Sequence, residues 1–109
     1  MTVKRTPHHD LALVQTKFAT VDSLIIKTVA LKNARSLGYD RTDIVEAVQS
    51  LERGDFVKSE TAHSPPNHRV WHDTYNLPWD GRWLYLKFAG ETLIDIALTS
   101  FKERHDDRE

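Results

Sequence analysis

With 109 residues the chain suits one compact domain and leaves no room for a second core, since domains commonly run to roughly 100–150 residues. It contains no cysteine, which excludes disulfides, thiolate metal sites and cysteine nucleophiles. Its net charge of -1 argues against a general nucleic-acid coat protein, so any phosphate site has to be a local cluster of cations. Hydrophobic residues at 39% and charged residues at 28% are those of an ordinary globular domain. With no long apolar run and no signal-like start, the chain reads as soluble and cytoplasmic, without a membrane role.

Thr6-Pro7 has the form of an N-cap followed by proline at the first helical position, and Leu11, Val14 and Phe18 recur at helical spacing. The β-branched stretch from Leu24 to Val29 predicts a short strand running into a helix. Ala30, Leu31, Ala34 and Leu37 continue the helical stripe, and Gly38 suits the left-handed position past its end. Asp40 caps a third helix with the apolar face Ile44, Val45, Val48 and Leu51. Asp43 sits in its first turn, where the helix dipole favours an acid, and Gly54 ends the run.

From Asp55 the period changes to two. Strands are predicted at Phe56 to Thr61, Arg69 to Tyr75, Arg82 to Phe88 and Leu93 to Phe101. The separators are Ser64-Pro65-Pro66-Asn67, the stretch Asn76 to Gly81, and Ala89-Gly90. Successive strands of this kind pair antiparallel. The expected architecture is therefore α+β, with a mainly helical N-terminal half and a mainly β C-terminal half, and with Arg104 to Glu109 as a frayed tail.

Lys58, His72, Tyr85 and Lys102 all fall in or beside these strands, where side chains two apart share a face. Such residue types suit metal-free RNA cleavage, which needs a base for the 2′-hydroxyl proton, an acid for the leaving 5′-oxygen, and cations around the phosphorane. Histidine titrates near neutral pH, and positioned proton transfer contributes roughly 10²–10⁴-fold in rate. Lysine supplies charge, and tyrosine can bond a phosphate oxygen or stack on a base. Alternation sets Trp83, Tyr85 and Lys87 opposite the apolar Leu84, Leu86 and Phe88. The direction of His72 is left open, because both faces of its strand carry polar and apolar residues. Lys102 lies just past the run Ile94, Ile96 and Leu98. Singly, each of these residues is more often a solvated or packing residue.

Together, Lys4-Arg5-Thr6-Pro7-His8, Ala30-Leu31-Lys32-Asn33-Ala34, Leu37-Gly38, Asp55 to Ser59, Val70 to Tyr75, Tyr85-Leu86-Lys87 and Ser100 to Glu103 resemble, in order, the motility quorum-sensing regulator toxins, the MqsR family of type II toxin–antitoxin systems. The resemblance implies a RelE/YoeB-like fold with helices on one face of an antiparallel sheet. It further implies a metal-independent, cofactor-free endoribonuclease that cuts messenger RNA at short GC-containing sites, and a cognate antitoxin through which the complex binds operator DNA. The family's activity residues map onto Lys58, His72, Tyr85 and Lys102. Beside that carry-over, Lys87, Arg82 and Arg69 are expected to add peripheral attraction for RNA. His72 departs from the pattern, standing where the family member compared has glutamine. The stretch from His63 to Arg69, with its two prolines, is expected to be a longer loop.

Three rival readings compete. Ala30 to Leu51 has helix-turn-helix spacing, but its second helix carries Asp43, Glu46 and Glu52, the wrong sign for a major groove. His63, His68 and His72, with Asp73 or Glu60, would make a zinc site whose spacing fits no known motif. Trp71, Tyr75, Trp79 and Trp83 would suit a noncatalytic interaction surface.

Overall fold

The computed structural model describes residues 2–63 and 66–104. The first two residues of the 64–67 separator and the expected tail beyond Arg104 lie outside these residues. In chain order the elements are β1 (Val3–Lys4), α1 (Leu11–Lys17), α2 (Thr28–Ser36), α3 (Arg41–Ser50), a 3-10 turn (Arg53–Asp55), β2 (Phe56–His63), β3 (Pro66–Trp79), β4 (Arg82–Gly90) and β5 (Ala97–Glu103). The strands form one antiparallel sheet in the order β1-β2-β3-β4-β5. The α+β reading holds, with helices from the first half and the long strands from the second.

α1 starts at Asp10, whose carboxylate accepts from Leu13 N, rather than at Thr6. The preceding segment is held by the sheet instead. Val3 and Lys4 pair with Glu60 and Ser59, while His8 N and His9 N donate to the buried Asp73 carboxylate at 3.1 and 2.8 Å. Ser59 Oγ donates to the same carboxylate at 2.5 Å. A buried carboxylate without donors is costly, and this one recruits the N-terminal backbone as its donors. The His8 ring lies 5.0 Å from that of Trp71, nearly parallel to it. Burial first, then His9 and Lys4, holds the His8 imidazole below its ordinary pKa.

The strand expected over 24–29 shrinks to a single parallel bridge, Ile26 with Leu98, before α2 begins. Leu98 N donates to Ile25 O and Lys27 N to Leu98 O, both at 2.9 Å, so this clip covers only the first part of β5's outer edge. Gly38, at φ +95, ends α2 as expected, and α3 opens on the reciprocal Asp40–Asp43 capping box.

The strands run longer than alternation predicted. β3 continues through Pro78 to Trp79, and the six-residue separator before β4 contracts to Asp80 and Gly81, at φ 54 and 73, a two-residue turn that suits a twisted hairpin. Pro78 is tolerated because β2 begins opposite Tyr75, leaving β3 an edge strand at Pro78. The long loop expected from His63 to Arg69 is instead a hairpin end, with His63 opposite Pro66. The extra residues bulge out between the pairs Ala62–Asn67 and Thr61–Trp71. β5 starts at Ala97 rather than Leu93, because residues 91–96 form a turn on the Asp95 carboxylate, which accepts from Glu91 N and Thr92 N. Those two bonds lower the Asp95 pKa.

The three helices pack on one sheet face. Val14, Phe18, Ala30, Ala34, Ile44 and Val48 meet Tyr75, Leu77, Leu84, Leu86, Phe88, Leu98 and Phe101 in a single core. Fully burying each larger apolar side chain is worth about 1.5–3 kcal/mol. Among the described residues no helix is long and apolar enough to cross a membrane.

Candidate functional site

Among the described residues no helix covers the sheet's second face. It is built in rows, because directly paired residues of antiparallel strands point the same way. Glu60, His72, Ala89 and Ala97 make one row. The next holds Lys58, Thr74, Lys87 and Ser100, and the third holds Asn76, Tyr85 and Lys102. The uncertain direction of His72 is thereby resolved, since it shares a face with Tyr85. Trp83, 46% exposed, extends the same face beyond Tyr85.

Two bulges decide the placement of the outer lysines. Phe56 pairs with Tyr75 and Lys58 with Thr74, so Val57 is an extra residue. Phe88 pairs with Leu98 and Lys87 with Ser100, so Thr99 is another. Without them, alternation would put Lys58 with the core-packed Phe56 and Lys102 with the buried Leu98. A bulge re-aims the side chains beyond it, and here Phe101 enters the core while Lys102 turns to the open face. Thr99 Oγ1 donates to Lys87 O at 3.1 Å and fixes the second bulge.

The face is positive against a chain of net charge -1. Lys58, Lys87 and Lys102 bring three ammonium groups to these rows, and among the described residues in them Glu60 is the one carboxylate, 3.5 Å from Lys58. Lys102 Nζ lies 5.2 Å and Lys87 Nζ 5.6 Å from the centre of the Tyr85 ring. The phenol thus has two cations over its ring, where the negative face of the π-system attracts them. His72 and Asn76 are four residues apart on β3, about 13 Å at roughly 3.3 Å per residue. A phosphate within reach of both ends has to lie over the middle row, at Thr74 between Lys58 and Lys87.

The MqsR toxin family model, described as "Motility quorum-sensing regulator, toxin of MqsA", matches residues 6–103. The chain belongs to this family. None of the curated proteins compared with it matches.

Not every residue singled out in the toxin's sequence joins this face. Arg82 pairs with Trp79 on the helix side. There its guanidinium donates to Tyr39 Oη at 2.6 Å and lies 3.8 Å from both Asp80 and Glu103. Burial first, then its bond to Asp80, raises the Tyr39 pKa. Arg69 is exposed in the β2–β3 bulge, beyond the His72 row. Conversely, Thr74, Asn76 and Ser100 stand among the lysines although their residue types are not distinctive in the sequence. The signal was available, because Thr74 and Asn76 have the same parity on β3 as His72.

The toxin's structure bears on each rival reading. α3 buries Ile44, Val45, Ala47 and Val48, and Arg41 at its start donates to Val21 O and Leu24 O, so no cationic recognition surface is presented. Of the zinc reading's residues, the His63 side chain lies outside the described ones; among those described, no group of three or more metal-ligating side chains is gathered. The aromatic stretch is not one surface: Tyr75 is buried, Trp79 packs on Tyr39, and Trp71 lies against His8.

Proposed function

We propose that this toxin is a metal-independent endoribonuclease that cuts messenger RNA on the open sheet face and is silenced by a cognate antitoxin, through which the complex contacts operator DNA. The observation that carries the reading is the convergence of Lys58, His72, Tyr85 and Lys102 on one helix-free face of net positive charge. Membership of a family described as the toxin of MqsA supports the antitoxin partner.

In the proposed reaction the 2′-oxygen attacks the adjacent phosphorus, the bond from phosphorus to the 5′-oxygen breaks, and a 2′,3′-cyclic phosphate and a 5′-hydroxyl result. His72 takes part in the proton transfers. Lys58 and Lys102 neutralise the phosphorane, and Lys87, in the row of Lys58, adds charge from the opposite side. Tyr85 stacks on a neighbouring base or bonds a phosphate oxygen. Preorganised charge of this kind is usually the largest single contribution to catalysis.

Incubating antitoxin-free protein with a defined RNA in EDTA, and analysing the ends, tests the reading. Site-selective cuts bearing 2′,3′-cyclic phosphate, lost in Lys58→Ala and Tyr85→Ala, are expected. RNA left whole, or identical cuts from every variant, would overturn it.

A further inference from the structure

On the open face, Thr74 Oγ1 and Asn76 Oδ1 are buried and have no hydrogen-bond partner among the described residues. Both lie on the central strand, two residues apart, and Asn76 is the direct cross-strand partner of Tyr85, which places their Cβ atoms roughly 4.5–5.5 Å apart. A buried acceptor without a donor lowers stability, whereas an apolar group of the same shape is neutral or stabilising there. Stability alone would therefore favour leucine at position 76. The carboxamide sits instead beside a phenol flanked by two ammonium groups, in a site otherwise suited to a stacked base.

We propose that Asn76 is a base-reading residue: its carboxamide oxygen accepts a hydrogen bond from the exocyclic amine of the nucleotide held against Tyr85, favouring adenine, cytosine or guanine over uracil at that position. The inference rests on the ribonuclease reading and gives it a source of sequence preference. Carboxamides are suited to this task because they present an acceptor and a donor in one plane, matching a base edge. Thr74, one row inward, is placed to bond the adjoining phosphate or ribose between Lys58 and Lys87.

The test combines melting with mapping of cut sites in a randomised RNA pool, for the wild type, Asn76→Leu and Asn76→Ala. Asn76→Leu should melt no lower than the wild type. At one position next to the cleaved bond, its discrimination against uracil should fall about fivefold to tenfold, the equivalent of one hydrogen bond. Asn76→Ala should show the same relaxed preference. A clear drop in melting temperature for Asn76→Leu would make the carboxamide structural and overturn the proposal, as would an unchanged cut-site distribution in both variants. If the wild type leaves the pool whole, the ribonuclease reading fails, and Asn76 is judged on binding of short A, C, G and U homo-oligoribonucleotides. Weaker binding of the U oligomer, abolished by Asn76→Leu, upholds the base-reading role, and equal binding of all four overturns it.

Discussion

Lys58 and Lys102 face the same side of the sheet, although plain alternation from Phe56 and Leu98 would send both into the core. Each lies just beyond a one-residue bulge, at Val57 and at Thr99. The two bulges sit on the strands flanking the central pair, so Lys58 ends the Thr74 row on one side and Lys102 ends the neighbouring Asn76–Tyr85 row on the other.

Removing Lys58 should therefore affect chemistry and leave the fold alone. Its side chain is 43% exposed and its ion pair with Glu60 is long, and such surface pairs contribute only about 0–1 kcal/mol. Lys58→Met is expected to change the urea midpoint negligibly while lowering cleavage roughly 10²–10³-fold, the scale of one lost transition-state charge contact. Glu60→Gln should act oppositely, tightening RNA binding about twofold to fivefold by removing the competing carboxylate. Timed RNA cleavage reads the first and fluorescence anisotropy with a short RNA the second; wild-type cleavage by Lys58→Met would separate Lys58 from the phosphate.

Substitutions at Tyr85 distinguish stacking from hydrogen bonding. If the ring stacks a base, worth about 1–3 kcal/mol, Tyr85→Ala weakens RNA binding roughly 10- to 100-fold and Tyr85→Phe retains it. If the hydroxyl bonds phosphate in the transition state, Tyr85→Phe binds normally and cuts slowly. Wild-type binding and cutting by both variants would exclude the ring from the site.

His72 should leave its mark on the pH profile. Proton transfer by a positioned imidazole makes the rate pH-dependent, so the wild-type profile is expected to show a limb that His72→Gln lacks, with a fall of about 10²-fold at the optimum. Superimposable profiles would remove His72 from the proton transfers.

Asp73 has a structural task beside this chemistry. Its carboxylate accepts from Ser59 Oγ, His8 N and His9 N, and Asp73→Ala leaves three donors stranded. The expected loss is about 3 kcal/mol, seen as a lower denaturant midpoint together with faster proteolysis within residues 2–10. A midpoint equal to that of the wild type would show that the N-terminal segment is held by other contacts.

A methyl group at Gly90 should be felt for a different reason. Its Cβ would fall 2.8 Å from Ile96 Cα and 3.0 Å from Ile96 N, backbone atoms that cannot swing aside. Gly90→Ala is expected to destabilise by about 1–3 kcal/mol, measured by thermal melting, and unchanged melting would mean that the 91–96 turn yields freely.

The sequence by itself determined the α+β division, the apolar faces of α2 and α3 with their caps at Asp40 and Gly38, and the side of β4 that carries Tyr85 and Lys87. These depend on periods of 3.6 and 2 and on local capping, which neighbouring residues alone decide. The family resemblance was legible too, because its motifs keep their order along the chain. Only the tertiary structure decided the rest. The direction of His72 came from its pairing with Ala89 of β4, whose outward side Leu84 and Leu86 had already fixed. The orientation of Lys58 and Lys102 came from bulges, which interrupt the period on which sequence reading depends. Arg82 was drawn away to Tyr39, Asp80 and Glu103, and residues 6–9 were drawn out of a helix, for a common reason. Buried or half-buried polar groups on other elements needed partners, and the requirement to satisfy them acts across distances in sequence that no local pattern records.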